Sequence, residues 1–220
     1  MIPKKLHYCW FGDKEFSPLH KACIQSWKEV LPEYEVFFWN EKNIPTNDFI
    51  DHHLKQGNWA FVSDFVRLYA IYTHGGIYLD TDFEVIKPLN HLLDSSGFIA
   101  YESVKRINTG ICAGEKGHAF YHDCMDYMQT RHKKNLTYEI APIVATTVYQ
   151  KGKYDIKVYP SEYFYPYNPY AKENEVKILM HNMIKPETVA IHHWAKGWSG
   201  EPKLRGFKKY KNSIKKRFFR

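Results

Sequence analysis

The chain has 220 residues, a length that suits one domain with a substantial core. Its net charge is +7, but nine basic and no acidic residues follow from Lys203 to the end, so +7 minus nine leaves −2 on residues 1–202. Since the basic character belongs to the tail and no RNA- or DNA-binding motif occurs, nucleic acid is not the expected partner.

The cysteines and the N-terminus indicate the compartment. No CxxC spacing occurs, which argues against a zinc ribbon or a thiol-redox motif, and reduced cytosolic thiols are the simplest reading. The start, "MIPKKLHYCWFG", lacks the apolar segment of a signal peptide, and no run of about 18 apolar residues occurs. The sequence therefore predicts a cytoplasmic protein.

The first elements predict an α/β architecture. Apolar runs at 5–11 and 34–39 are typical of strands, and the helical pattern at 18–31 between them is opened by Ser17 and Pro18. This order predicts a βαβ unit that begins almost at residue 1.

The remaining elements continue this pattern. We predict a helix over 60–73 and, after a His-Gly-Gly break, a strand over 77–80. No internal repeat or low-complexity linker appears, so we expect one domain over 1–202 and a tail over 203–220. The other predictions are strands at 97–102, 107–114 and 189–194, helices near 118–130 and 140–150, and an irregular loop at 159–170.

Asp80 and Asp82 form a DxD pair at the end of the third predicted strand. If that strand persists through them, both side chains point to one side and can converge on Mg²⁺ or Mn²⁺ and a diphosphate. An EF-hand would need Gly where Val85 stands, and a DxDx[TV] phosphatase motif would need Thr or Val where Glu84 stands. The remaining alternative is a pair of turn or cap residues.

Ser63, Asp64 and Arg67 share one face of the helix predicted at 60–73. Asp64 and Arg67 could form a surface ion pair worth roughly 0.2 to 0.5 kcal/mol. However, the helix is apolar nearly all round and therefore predicted to be buried, where Asp and Arg need a partner or a task. This pattern favours a site for a charged, hydroxyl-rich ligand.

The combined pattern "A-x-x-S-D-x-x-R-x-x-x-I-Y-x-x-G-G-I-Y-L-D-T-D" over 60–82 closely resembles the DXD-containing sugar-transferase family. That family includes bacterial capsular polysaccharide transferases and fungal mannosyltransferase-like enzymes, and is distantly similar to the large glucosylating toxins. The resemblance covers most of the chain. It implies an α/β GT-A (Rossmann-like) fold with a mixed central sheet.

The resemblance also implies a metal site for Mn²⁺ or Mg²⁺. Asp82 is expected to bind the ion directly, whereas Asp80 is expected to contact both the donor and the ion, partly through water. The third ligand comes from the adjacent histidines of "HHW". His192 and His193 lie on opposite faces of an extended strand, and the spacing to Trp198 favours His193 in the family pattern.

Other residues are expected, from the same resemblance, to bind a nucleotide-sugar donor, with UDP-sugars favoured and GDP-sugars as the alternative. Ser63 would lie beside the nucleotide, and Asp64 and Arg67 would hold sugar hydroxyls and a phosphate or sugar oxygen. Trp10 would stack on the base, with Asn40 a weaker candidate for nucleotide contact. Trp198, with help from Lys196, would reach the leaving diphosphate.

Two features leave the acceptor side open. The segment Ile140-Ala141-Pro142 stands where the family often has Thr-Gly-Pro, so no acceptor contact is inherited there. Asn108 could face the reacting centre or could be a turn residue before Gly110.

The function implied by the resemblance is metal-dependent glycosyl transfer with retention, from a nucleoside-diphosphate donor to a saccharide acceptor in surface polysaccharide synthesis. The acceptor could be a free glycan or a lipid-linked one. The alternatives are a metal-dependent nucleotide-sugar hydrolase and a catalytically silent sugar-nucleotide-binding protein.

The tail over 203–220 has apolar residues at helical spacing among Lys and Arg: Phe207, Tyr210, Ile214 and Phe218. This pattern predicts a helix lying on an anionic membrane surface. A solvated basic tail is the alternative. The first reading places the protein on the inner face of the cell membrane.

Overall fold

The computed structural model describes residues 1–195. Elements within this range follow in the order β1 (Lys5–Cys9), α1 (Pro18–Val30), β2 (Glu35–Trp39), α2 (Asp48–Lys55), α3 (Trp59–His74), β3 (Gly76–Leu79), β4 (Phe83–Val85), β5 (Gly97–Ser103), β6 (Arg106–Gly114), α4 (Ala119–Lys133), α5 (Ala141–Lys151), β7 (Lys157–Tyr159) and β8 (Ala190–His192). Short 3₁₀ turns lie at Asn90–Leu92, Ser161–Tyr163 and His181–Met183.

Six strands form a mixed central sheet in the order β2-β1-β3-β6-β5-β7. The pairs β2–β1, β1–β3 and β5–β7 are parallel, whereas β6 runs antiparallel to both of its neighbours. Strands β4 and β8 form a separate antiparallel pair. The predicted α/β fold with a mixed central sheet is confirmed.

The predicted βαβ unit is confirmed at the N-terminus, where β1, α1 and β2 occupy nearly the predicted ranges. Helix α1 begins with a capping box, since the Ser17 side chain accepts from the His20 N–H and the His20 ring accepts from the Ser17 N–H. Pro18 at the first helical position needs no intrahelical partner for its nitrogen.

The chain turns sharply between α3 and β3. Gly75 and Gly76 have φ angles of 66° and 115°, which only glycine adopts readily, and the Gly75 carbonyl accepts a hydrogen bond from His7 Nε2 at 2.8 Å. Strand β3 then ends at Leu79, and residues 80–82 form a turn before β4. The condition that one strand persists through Asp80 and Asp82 is therefore not met.

Three short elements had no sequence prediction: α2, β4 and β7. The segment 159–170, predicted as an irregular loop, contains the end of β7 and a 3₁₀ turn and is otherwise irregular. Strand β8 is shorter than the predicted strand at 189–194. Three-residue strands give no readable alternation, so pairing with a neighbour decides them.

Two apolar clusters fill the faces of the sheet. One packs α3, α4 and α5 against the face that includes Tyr78, and the other packs α1 and the β4–β8 pair against the face that includes Ile77. Adjacent residues on β3 thus point to opposite clusters, as a strand requires. All four cysteines are buried and free of disulfides.

Within residues 1–195, no helix combines the length and the hydropathy needed to cross a bilayer. The expected tail over 203–220 lies outside the described residues. The predicted boundary at residue 202 and the membrane-binding helix therefore stay predictions.

Candidate active site

The polar residues singled out in the sequence gather at one edge of the central sheet. Asp80 follows β3, Trp10 follows β1 and Asn40 follows β2, so all three stand at the carboxyl ends of parallel strands. Ligands of open α/β sheets bind at this edge.

Arg67 and Asp80 form a two-pronged ion pair. Arg67 Nη1 donates to Asp80 Oδ2 at 3.2 Å, and Nη2 lies 3.1 Å from Oδ1. The guanidinium also lies over the Tyr78 ring, 5.0 Å from its centroid. Burial raises the pKa of the Asp80 carboxyl while Arg67 opposes that rise. Since Arg67 is 6% exposed, this pair is a buried feature and not the surface pair considered above.

Asp64 connects Arg67 to the start of α5. Its Oδ1 lies 3.1 Å from Arg67 Nη2, and its Oδ2 accepts the Ala141 N–H at 3.0 Å. Burial raises the pKa of Asp64 to about 6, although Arg67 favours the ionised form. The segment that departs from the family pattern at 140–142 thus lies directly against the predicted donor residues.

The Asp82 carboxylate is hydrogen-bonded by residues that lie more than a hundred positions later in the chain. Its Oδ1 lies 3.0 Å from His192 Nε2, and its Oδ2 accepts the Ala195 N–H at 2.8 Å. Burial alone would raise the pKa of the Asp82 carboxyl, but His192 and these hydrogen bonds hold it well below its usual range. The two carboxyls of the DxD pair are therefore unequal: burial raises the pKa at Asp80 on balance, whereas at Asp82 His192 and the hydrogen bonds together outweigh burial and lower the pKa.

The structure brings His192, and not the predicted His193, to the DxD pair. His192 is opposite Phe83 in the β4–β8 register and stacks on its ring, with centroids 4.6 Å apart. His193 points away, and its Nε2 lies 2.8 Å from Glu84 Oε2. Adjacent side chains leave a strand on opposite sides, so only one of the two can face Asp82. His192, and not His193, is therefore the candidate third ligand in this geometry.

Asp80, Asp82 and His192 fit a divalent cation. One potential ligand atom from each lies within 4.8 Å of the others. Two carboxylates and an imidazole suit Mn²⁺, and the carboxylates suit Mg²⁺. His192 Nδ1 is buried and finds no hydrogen-bond partner among the described residues. Asp80 keeps a quarter of its side chain exposed, so the cluster is open on the Asp80 side.

Ser63 does not stand free beside the site. Its Oγ lies 2.8 Å from Cys9 Sγ, which also lies 3.0 Å from the Tyr78 hydroxyl. Tyr78 in turn donates to Asp80 Oδ1 at 3.0 Å. The sequence reasoning missed Cys9 and Tyr78, although the two-residue offset from Tyr78 to Asp80 could have suggested that Tyr78 lies nearby.

Trp10 and Asn40 stand at the expected edge with partners of their own. Trp10 is half-buried, packs against Phe16 with centroids 4.6 Å apart, and donates from Nε1 to the Lys14 carbonyl at 2.6 Å. The Asn40 side chain accepts the Lys42 N–H at 2.9 Å and so serves a local turn. Base stacking by Trp10 and nucleotide contact by Asn40 stay predictions.

A second polar chain supports Asp80 from β5 and β6. Glu102 Oε2 accepts from Asn108 Nδ2 at 2.5 Å, and Asn108 Oδ1 accepts the Gly110 N–H at 2.7 Å. The Gly110 carbonyl accepts the Asp80 N–H at 2.7 Å. Asn108 therefore lies on β6 and not in a turn, and Glu102 is a residue that sequence reasoning missed.

Trp198 and Lys196, expected at the leaving diphosphate, lie outside the described residues. The other predicted residues fall into two groups. Ser63, Asp64, Arg67 and Asp80 form one connected network, and the Asp82–His192 pair places its ligand atoms within 4.8 Å of Asp80. Trp10 and Asn40 line the same edge, and the hydrogen-bond partners of their side chains, Lys14 and Lys42, lie outside this network.

The sequence is similar to those of known glycosyltransferases. Residues 17–99 match the family described as a glycosyltransferase sugar-binding region containing a DXD motif. An uncharacterized glycosyltransferase, L373, of Acanthamoeba polyphaga mimivirus is 26% identical over 197 residues, which cover 79% of this chain and 77% of that protein. Inositol phosphoceramide mannosyltransferase 3 of Schizosaccharomyces pombe is 26% identical over 128 residues, 54% of this chain and only 35% of that protein.

Solved structures show the same fold. The PaToxG glycosyltransferase superposes with a TM-score of 0.57 at 18% identity, over 68% of this chain and 69% of its own. The galactosyltransferase LgtC, solved with donor and acceptor sugar analogs, gives 0.53 at 11% identity over 94% of each chain. The fold is therefore the GT-A glycosyltransferase fold. The chain is a glycosyltransferase that carries the DXD-containing sugar-binding region at residues 17–99.

Proposed function

We propose that this glycosyltransferase is metal-dependent and moves a sugar from a nucleoside diphosphate, with retention, to a saccharide acceptor in surface polysaccharide synthesis. The observation that carries the proposal is the cluster of Asp80, Asp82 and His192 beside the buried Arg67. Such a cluster offers hard oxygen ligands for a divalent cation beside a fixed guanidinium charge, and the cation and the guanidinium both suit a diphosphate.

Each residue has a role in this proposal. Asp80, Asp82 and His192 would hold Mn²⁺ or Mg²⁺, which would supply positive charge against the negative charge that grows on the leaving diphosphate. Arg67 keeps the Asp80 carboxylate oriented through two contacts, and Asp64 keeps Arg67 in place. Catalysis then depends on leaving-group stabilisation and on positioning of the sugar.

The finer features rest on resemblance and on relatives. The family resemblance supports a UDP-sugar donor, with GDP-sugars as the alternative, and supports retention at the anomeric carbon. One relative is named as a mannosyltransferase of inositol phosphoceramide, a lipid, which supports a lipid-linked saccharide as acceptor. Such an acceptor would suit a cytoplasmic protein that rests on the inner face of the membrane through residues 203–220.

The deciding experiment is calorimetric titration of UDP- and GDP-sugars with Mn²⁺ present or removed by a chelator. We expect one sugar nucleotide to bind only with the metal, and Asp82→Ala to abolish this binding. Asp94→Ala is the matched control, since Asp94 is an exposed carboxylate outside the site. Metal-independent binding, or no binding of any sugar nucleotide, would overturn the proposal. Adding candidate glycan acceptors then separates transfer from hydrolysis by the product formed.

A further inference from the structure

The Cys9 thiol lies at the centre of a chain of hydrogen bonds that leads into the site. It bridges two hydroxyls that have no hydrogen bond to each other, those of Ser63 on α3 and Tyr78 on β3. The Tyr78 hydroxyl in turn donates a hydrogen bond to Asp80 Oδ1. Cys9 ends β1, so three neighbouring elements meet at this sulfur atom.

Burial keeps the Cys9 thiol and the Tyr78 hydroxyl protonated, because it raises the pKa of both groups. Cys9 is 5% exposed and Tyr78 is fully buried, whereas Ser63 is partly exposed. Burial raises the pKa of the Cys9 thiol to about 11, although Arg67 and the two hydroxyls lower it. The sulfur therefore keeps its single proton at neutral pH.

Counting protons fixes the direction of each hydrogen bond. A carboxylate only accepts, so the one Tyr78 proton goes to Asp80. The Cys9–Tyr78 contact must then use the thiol proton, with the Tyr78 oxygen accepting. Since the thiol proton is already donated to Tyr78, Ser63 Oγ must be the donor in the Cys9–Ser63 contact and the sulfur its acceptor. The chain runs one way, from Ser63 through Cys9 and Tyr78 to Asp80.

We propose that Cys9 is a positioning residue that couples Ser63 to Asp80 and sets Ser63 as a hydrogen-bond acceptor toward the ligand. With its proton directed at sulfur, the Ser63 oxygen offers only lone pairs on its exposed side. A ligand group there must donate, as a ribose or sugar hydroxyl does. The identity of that ligand rests on the proposed nucleotide-sugar site.

The geometry also says which side chains can replace the thiol. The distances of 2.8 and 3.0 Å from Sγ to the two hydroxyls fall in the range of oxygen–oxygen hydrogen bonds. A serine hydroxyl, with one proton and two lone pairs, can therefore keep the chain. Valine is one heavy atom larger and suits a strand, but it breaks both hydrogen bonds.

The first test needs no ligand. The free energy of unfolding is measured by denaturant for Ser63→Ala, Tyr78→Phe and the double variant, in metal-free protein. If Cys9 couples the two hydroxyls, the double variant's unfolding equilibrium constant departs from the product of the single effects by at least about twofold. The same cycle in Cys9→Val should show no departure. Independence with Cys9 present, or coupling that survives Cys9→Val, overturns the proposal.

The second test concerns the donor. We expect Cys9→Val to weaken Mn²⁺-dependent binding of the UDP-sugar about tenfold, which corresponds to losing one to two hydrogen bonds. Cys9→Ser should stay within about twofold of wild type. Cys124→Ala is the matched control, because Cys124 is buried in α4 away from the chain.

The two tests separate the possible failures. If wild type shows no metal-dependent donor binding, the proposed function fails, and the unfolding cycle still decides whether Cys9 couples the hydroxyls. If wild type binds the donor and Cys9→Val binds equally well, or Cys9→Ser is as weak as Cys9→Val, only the role of Cys9 is overturned.

Discussion

His192 Nε2 lies 3.0 Å from Asp82 Oδ1, although 110 positions separate the two residues in the chain. This contact is the reason for proposing His192, and not its neighbour, as the third ligand beside the carboxylate pair. We expect His192→Ala to weaken Mn²⁺ binding at least about tenfold, as the loss of residues around a metal generally does. His193→Ala is the matched control, because its ring contacts Glu84 instead. Isothermal titration with Mn²⁺ measures both, and an equal loss in the two variants would contradict the assignment.

Gly110 allows Asp80 to approach the sheet. A Cβ atom at Gly110 would lie 2.8 Å from Asp80 Oδ2 and 3.2 Å from a ring carbon of Phe83. We therefore expect Gly110→Ala to displace the carboxylate and reduce the transfer rate at least about tenfold, while overpacking costs about 1 to 3 kcal/mol of stability.

Gly117→Ala serves as the control for Gly110→Ala. Its added methyl group would meet nothing within 4 Å, and its cost comes from a φ of 82°. Thermal melting should show a loss of stability in both variants, whereas initial rates should fall only for Gly110→Ala. Unchanged rates for Gly110→Ala would show that Asp80 tolerates the displacement.

Glu102 accepts a hydrogen bond from the buried Asn108 amide. Replacing Glu102 by Ala removes the acceptor and should cost about 1 to 3 kcal/mol in the free energy of unfolding. Glu102→Gln keeps an oxygen for Asn108 Nδ2 and should recover part of that loss, although the contact of Glu102 with Arg106 Nε at 2.8 Å weakens. Denaturant titration of the two variants checks the order, and a Gln variant no better than Ala would contradict it.

His53 predicts a dependence of stability on pH. Burial lowers its pKa from 6.5 to about 3, and its Nε2 has no hydrogen-bond partner among the described residues. Below about pH 6.5 the unfolded chain takes up a proton that the folded chain refuses, so stability falls as the pH falls. Burial lowers the pKa of His7 to about 4, which adds a slope of the same sign.

The variant His53→Phe tests this dependence. Phe suits the site because His53 packs among Phe49, Phe61 and Tyr138. We expect the variant to recover roughly 2 kcal/mol of the stability that wild type loses between about pH 7 and about pH 4.5. Denaturant melts across this range measure the difference. An identical slope in both proteins would show that His53 does not titrate on unfolding.

The basic tail predicts binding to anionic vesicles. We expect the full chain to sediment with phosphatidylglycerol-containing liposomes, and a chain ending at residue 202 to stay in the supernatant, with the difference falling as salt rises. Neutral phosphatidylcholine liposomes are the control. Equal sedimentation of both chains would show that residues 203–220 do not bind the vesicles.

The sequence predicted elements that carry their own signal. Helix α3 was recognised because its apolar residues surround Asp64 and Arg67, and the Gly75-Gly76 turn marked its end. Strand β4 gave no such signal, since three residues cannot show alternation and only its pairing with β8 forms it. The connected carboxylates and Arg67 were predicted as a group because they lie close in sequence.

The orientation of the two adjacent histidines could not be predicted for the same reason. Choosing between His192 and His193 requires the register of β8 against β4, which is a contact between positions more than a hundred apart. The Cys9 and Glu102 contacts were missed for this reason as well: each brings together residues on different strands or on a strand and a helix. Spacing along one element carries no information about either.

The pairing of β4 with β8 has a consequence for biosynthesis. The two core clusters draw most of their residues from positions before 165, so a growing chain can collapse and form the central sheet early. The Asp82 side chain, however, gains its contacts with His192 and Ala195 only after those residues have been synthesised. A nascent or prematurely terminated chain that stops before residue 190 would carry most of the core and still lack His192 of the proposed metal cluster.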